Sequence, residues 1–153
     1  MSIAVKEAKM GLIKNEVPVG TVITYYDKII SSNHNRVILD MDPSAHAEIL
    51  CIRDATKKLQ TLFLNECSLY TTLEPCVMCA QAIAFSKIKR LYFGAYNIKF
   101  GSIENGVRLF NANVCNHIPE IYGGINEEDS IILMKNFFTK KRKGFITQNQ
   151  YFS

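Results

Sequence analysis

Two short segments, PSAHAEIL (residues 43–50) and LEPCVMCA (73–80), restrict the fold of this 153-residue chain more tightly than anything else in it. Each carries the marks of a helix start. Asp42, Pro43 and Ser44 predict a helix from about Ser44, because short polar side chains accept the free N–H groups of a first turn. Pro75 opens the second helix, where a missing N–H costs nothing. Cysteines in such a first turn ionise readily, because free N–H groups and the helix dipole favour the thiolate. Cys76 and Cys79 can therefore both turn toward one ion. At the other helix start stand His46 and Glu48, with only Ala47 between them. For His46 to join the cysteines, the two helix starts must lie together.

A redox pair of the thioredoxin kind is the competing reading of C-x-x-C in an α/β chain. Val77 and Met78 between the cysteines count against it, as does the His46–Glu48 pair. His46, Cys76 and Cys79 are three ligands, the number a catalytic zinc site keeps while leaving its fourth position to water; a structural site wants a fourth protein ligand. Cys51, Cys67, Cys115, His34 and His117 are available for that, but none stands at a familiar spacing. Glu48 is then free to act as general acid and base. Cys51 and Cys67 fall on apolar faces and read as small core residues, and Cys115 also reads as structural.

Around these motifs the elements alternate. Residues 2–14 form a partial apolar face from Ile3, Val5, Ala8, Leu12 and Ile13. VPVGTVITYYDKIISSNHN suits two strands joined at Tyr26-Asp27-Lys28, with Gly20 a point of close approach. CSLYTT and KRLYFGA read as further strands, GSIENGV as a loop. A C-terminal helix spans Asn126 to about Lys141, with Ile131, Ile132, Met134, Phe137 and Phe138 inward. The alternation predicts a single three-layer α/β domain over residues 1–143, followed by a C-terminal tail, 144–153, expected to be disordered.

Apolar residues make up 48% and charged residues 21%, which excludes a disordered chain. No apolar run approaches the roughly 18 residues of a membrane span. Lys6, Glu7, Lys9 and Lys14 interrupt the first segment, so it has no signal-peptide core. Five cysteines, an odd count, make a disulfide framework an unsuitable reading, and the chain reads as cytoplasmic. The net charge of +4 resides in KKRK, residues 140–143; without it, basic and acidic residues balance at 14 each. Such a run either binds a polyanion or ends a helix in solvent.

H-A-E followed by P-C-x-x-C resembles the established signature of the cytidine deaminase-like zinc deaminases. Within that superfamily NEVPVG, NHNR, DPSAHAEI, LYTTLEPCVMCAQAI, FGAYNIKFGS, CNHIPEIYGGI and FFTKKRK resemble the bacterial tRNA adenosine deaminases. The resemblance covers most of the chain but not GFITQNQYFS. It implies a three-layer α/β/α cytidine deaminase-like fold with a central mixed sheet, one Zn2+ per subunit held by His46, Cys76 and Cys79, and a homodimer. It implies hydrolytic deamination of adenosine to inosine in a tRNA anticodon stem-loop, with Glu48 moving the protons. Asn35 and the N–H of Ala47 would orient the base, and Val17, Pro18, Val19 and Pro75 would line its pocket. Asn97, Lys99, Phe137, Phe138, Lys141 and Arg142 would meet the RNA. His117 fits the family pattern as a structural hydrogen-bonding residue, and His34 is either a solvated loop residue or an RNA contact beside Asn35.

One departure stands out: Asn97 occupies a position where the family usually has aspartate, and Tyr96 one where it has a basic residue. An amide accepts a bond from a ribose 2′-hydroxyl without the charge of a carboxylate, so weaker discrimination between RNA and DNA is expected. A free guanine or cytosine deaminase is the second functional reading, because those relatives share both motifs. A zinc-stabilised RNA-binding module without catalysis is the third, and Glu48 argues against it.

Overall fold

The structure, a computed structural model, describes residues 1–113 and 115–149, with side chains through Arg142. Helix α1 (Ser2–Ile13) leads into a hairpin of β1 (Gly20–Tyr25) and β2 (Lys28–His34). Helix α2 (Ala47–Leu59), β3 (Cys67–Leu73), α3 (Val77–Phe85) and β4 (Arg90–Ala95) follow. A 3-10 turn at Leu109–Asn111, a short β5 (Glu120–Tyr122) and α4 (Glu127–Asn149) complete the described chain. The strands make one mixed sheet in the order β2-β1-β3-β4-β5. β1 is antiparallel to β2 and β3, whereas β3, β4 and β5 run parallel. The crossover through α3 supplies the long connection that a parallel pair requires.

Helices α2 and α3 cover one face, and α1 and α4 the other. On the first face Ile23, Leu69, Leu91 and Phe93 meet Cys51, Ala55, Ala80, Ile83 and Ala84, all fully buried. Burying each large side chain there contributes about 1.5–3 kcal/mol. This is the three-layer α/β/α architecture with a mixed sheet that the sequence implied, and Cys51 and Cys67 are core residues as expected.

Local details differ. The buried stripe of α1 is Ala4, Val5, Ala8 and Gly11, while Ile3 and Ile13 are exposed. The small residues win because α1 lies directly against Gly20: a Cβ there would stand 2.1 Å from the Ala4 carbonyl oxygen. Helix α2 starts three residues later than expected. Asp42 Oδ1 accepts the N–H and the hydroxyl of Ser44, both at 2.7 Å, and so closes a turn before the helix instead of capping it. Pro75 likewise stands outside α3, because Cys76 is extended and pairs with Gly101. β5 escaped the sequence reading because, of its three residues, only Ile121 is even half-buried. In α4 the inward residues are Ser130, Leu133 and Phe137, at helical spacing from the point where Ser130 meets Gly94. Ile132 and Phe138, expected inward, are exposed. The backbone of α4 continues to Asn149, through much of the segment read as a tail, whose residues 150–153 lie outside the described ones.

Candidate active site

Helix α3 starts at the C-terminal end of β3, and its N-terminus meets that of α2. His46 and Cys76 are the residues just before the two helices, both in extended conformation. His46 Nδ1 lies 3.7 Å from Cys76 Sγ and 3.5 Å from Cys79 Sγ. All three candidate ligand atoms fall within 4.8 Å of one another. A tetrahedral ion with bonds of about 2.0 Å to nitrogen and 2.3 Å to sulfur would separate them by about 3.5 Å. The donor set and its spacing therefore fit a zinc ion, with three protein ligands and one position to spare.

The three side chains are strongly coupled to one another. The Cys76 thiol is pulled down to about 4, first by its hydrogen bond with Cys79 and then by that with His46, against the opposing effect of burial. The hydrogen bond to Cys76 and then burial push the Cys79 thiol up. His46 is shifted upward, mainly by its bond to Cys76. Glu48, in the first turn of α2, is 4% exposed, and burial raises its carboxyl above the usual range. A carboxyl so placed can both hold and release a proton.

The expected pocket residues are laced to this centre. The Asn35 N–H donates to the Val19 carbonyl at 3.0 Å, and the Arg36 N–H donates to the Ala45 carbonyl, next to His46. Pro18 and Val19 are buried; Val17 is half-buried and so has the freest side chain of the three. Ala47 is fully buried, and as the first residue of α2 its N–H has no intrahelical partner. Pro75 is buried, its carbonyl accepting both the N–H and the hydroxyl of Ser102 at 3.0 Å.

The expected RNA contacts divide into two places. Asn97 and Lys99 lie on the loop after β4, where Asn97 Oδ1 accepts the Phe100 N–H at 3.1 Å and Lys99 is exposed. The others lie on α4: Phe138, Lys141 and Arg142 are exposed, but Phe137 is 7% exposed and packs inward. His117 donates from Nε2 to the Ile88 carbonyl at 2.7 Å, a structural bond. His34 stands 3.0 Å from Glu7 and 3.3 Å from Lys14 Nζ, engaged with α1.

Two carboxylates escaped the sequence reading. Glu16 is fully buried and accepts the Asn35 amide at 3.1 Å and the N–H groups of Ile38 and Leu39. Glu74 is 1% exposed and accepts five donors from the loop after β4. The available signal was an acidic residue inside the apolar runs EVPVG and LEPC.

The family profile described as MafB19-like deaminase matches residues 1–142. A tRNA-specific adenosine deaminase of Rickettsia typhi is 47% identical over 144 residues, covering 93% of this chain and 97% of that protein. This chain belongs to the tRNA-specific adenosine deaminase family. A solved tRNA:A34 deaminase, studied for A-to-I editing at the wobble position of transfer RNA, superposes with a TM-score of 0.86. It is 42% identical, covering 87% of this chain and 96% of the other. A guanine deaminase from Nitrosomonas europaea, 22% identical over 89% of this chain and 81% of its own, has a TM-score of 0.76 and shares the fold.

Proposed function

We propose that this chain hydrolytically deaminates the wobble adenosine of a tRNA anticodon to inosine, using one zinc ion per subunit. The observation that carries the reading is the convergence of His46, Cys76 and Cys79 at two helix N-termini, with the buried carboxyl of Glu48 beside them. A zinc ion held by those three residues supplies Lewis acidity and a water activated at neutral pH. Glu48 would hold and move the protons: one from the attacking water to the ring nitrogen, then one from the new hydroxyl at C6 to the amine, which leaves as ammonia as the carbonyl forms. Asn35, held by Glu16, and the free N–H of Ala47 orient the base, and Val17 packs on it. An anticodon loop presents its bases already unpaired, which lowers the cost of placing one in a closed pocket.

Lys99, Phe138, Lys141 and Arg142 supply cations and an aromatic ring for the stem-loop. The chain acts as a homodimer in this proposal, a reading supported by Val77 and Phe85, which expose 49% and 62% of their surface on α3. Among the described residues no helix is long and apolar enough to cross a membrane.

The test is inosine formation in a stem-loop carrying a wobble adenosine, with free adenosine, cytosine and guanine run beside it. Inosine in the stem-loop alone is expected. Turnover of a free base in its place would move the chain to nucleobase deamination. Glu48→Ala should retain zinc and lose at least about 10²-fold in kcat; near-normal turnover would remove Glu48 from the mechanism.

A further inference from the structure

Glu74 is buried two residues before Cys76, and its carboxylate does nothing at the metal. Its Oε2 accepts the backbone N–H of Asn97 at 2.9 Å and the side-chain amide of Asn105 at 2.7 Å. Its Oε1 accepts the backbone N–H groups of Ile103, Glu104 and Asn105 at 3.1, 2.8 and 2.9 Å. Five donors on one carboxylate exceed its roughly four lone-pair sites, so the group is saturated. All five come from one irregular segment, residues 97–105, and they hold it at both ends.

Further bonds tie the same two stretches. The hydroxyl and N–H of Ser102 donate to the Pro75 carbonyl. Cys76 pairs with Gly101, where a Cβ would stand 2.5 Å from the Glu74 carboxyl carbon. The loop that carries Asn97 and Lys99 is thus seated directly on the strand of chain that carries the first cysteine.

We infer that Glu74 is a positioning residue that holds the 97–105 loop in register with the metal centre, so that the sugar–phosphate chain is gripped at a set distance from the reacting base. The inference rests on the tRNA reading above. A ring that must enter a pocket while its backbone is held outside tolerates little play between the two holding points; displacements of about 1 Å cost on the order of 10²-fold. A carboxylate suits the task because every donor facing it is an N–H. Glutamine has the same shape, but it keeps only one oxygen, and its NH2 would confront the donors on the other side and leave them unpaired.

The experiment compares Glu48→Ala with the double variant Glu48→Ala/Glu74→Gln as zinc-loaded full-length proteins. Three quantities are read: zinc content, backbone hydrogen exchange, and Kd for the wobble-adenosine stem-loop. The expected result is unchanged zinc, exchange faster by at least 10-fold at Asn97 or at Ile103, Glu104 and Asn105, and Kd weakened by about 10-fold, as for one or two lost hydrogen bonds. In the active background, Glu74→Gln raises KM more than it lowers kcat, and Glu74→Asp, which keeps the acceptors, recovers part of the loss. Unchanged exchange at all four of these backbone amides overturns the clamp. Faster exchange with unchanged Kd overturns its role in holding RNA and leaves Glu74 purely structural. If Glu48→Ala itself fails to bind the stem-loop, the tRNA reading fails and takes the RNA role of Glu74 with it, while exchange alone decides the clamp.

Discussion

Asn97 accepts the Phe100 N–H through its own Oδ1 and donates its backbone N–H to Glu74, so it caps the turn that presents Lys99. In the proposed complex the same oxygen would also have to accept a ribose hydroxyl. Aspartate would keep one oxygen on Phe100 and present a second, charged one. Asn97→Asp should therefore raise the preference for a ribose over a 2′-deoxyribose stem-loop by roughly 3–10-fold, the scale of one charge-assisted hydrogen bond. Equal Kd ratios for the two proteins would remove Asn97 from sugar recognition. The same scale explains why Glu16 and Glu74 were illegible: nothing in EVPVG or LEPC reveals that its carboxylate meets backbone N–H groups more than 20 residues away.

Close packing between elements depends on residues that a hydrophobic pattern undervalues. Helix α1 rests on β1 through Ala4, Ala8 and Gly20, and a methyl group at Gly20 would press on the Ala4 carbonyl and, at 2.4 Å, on the Ala8 nitrogen. Those are backbone atoms of a helix, and they yield only if α1 moves as a body. Gly20→Ala is expected to cost about 1–3 kcal/mol. Urea unfolding should show a lower midpoint with an unchanged slope; an unaltered midpoint would mean that α1 shifts freely. The start of α2 makes a related point. Asp42, Pro43 and Ser44 are genuine turn formers, yet they close a separate turn, and His46 takes the position before the helix in extended conformation. That offset leaves the imidazole at the helix mouth, level with Cys76.

Across the molecule the candidate metal site joins α2 to α3, elements that adjoin because both pack on the same face of the sheet. Chelation should therefore lower Tm by several degrees, since a ligand bound to the native state stabilises it by mass action. It should also let a thiol reagent at pH 8 titrate one further cysteine, Cys76, whose thiol is half-buried and pulled down to about 4. Burial holds the Cys51 thiol at about 12 and the Cys67 thiol at about 11, so both remain protonated and enclosed under those conditions. An unchanged thiol count after chelation would show that the metal is not held by Cys76. The convergence of His46, Cys76 and Cys79, the layer architecture and the placing of most elements were legible in the residues. Motif spacing and polar–apolar periodicity are local properties, written within a few positions of one another. Which acidic residues would be buried, which face α4 would turn inward and how the 97–105 loop would be seated were settled by tertiary structure. Each depends on backbone groups brought together from distant parts of the chain, and their positions exist only after the sheet has formed.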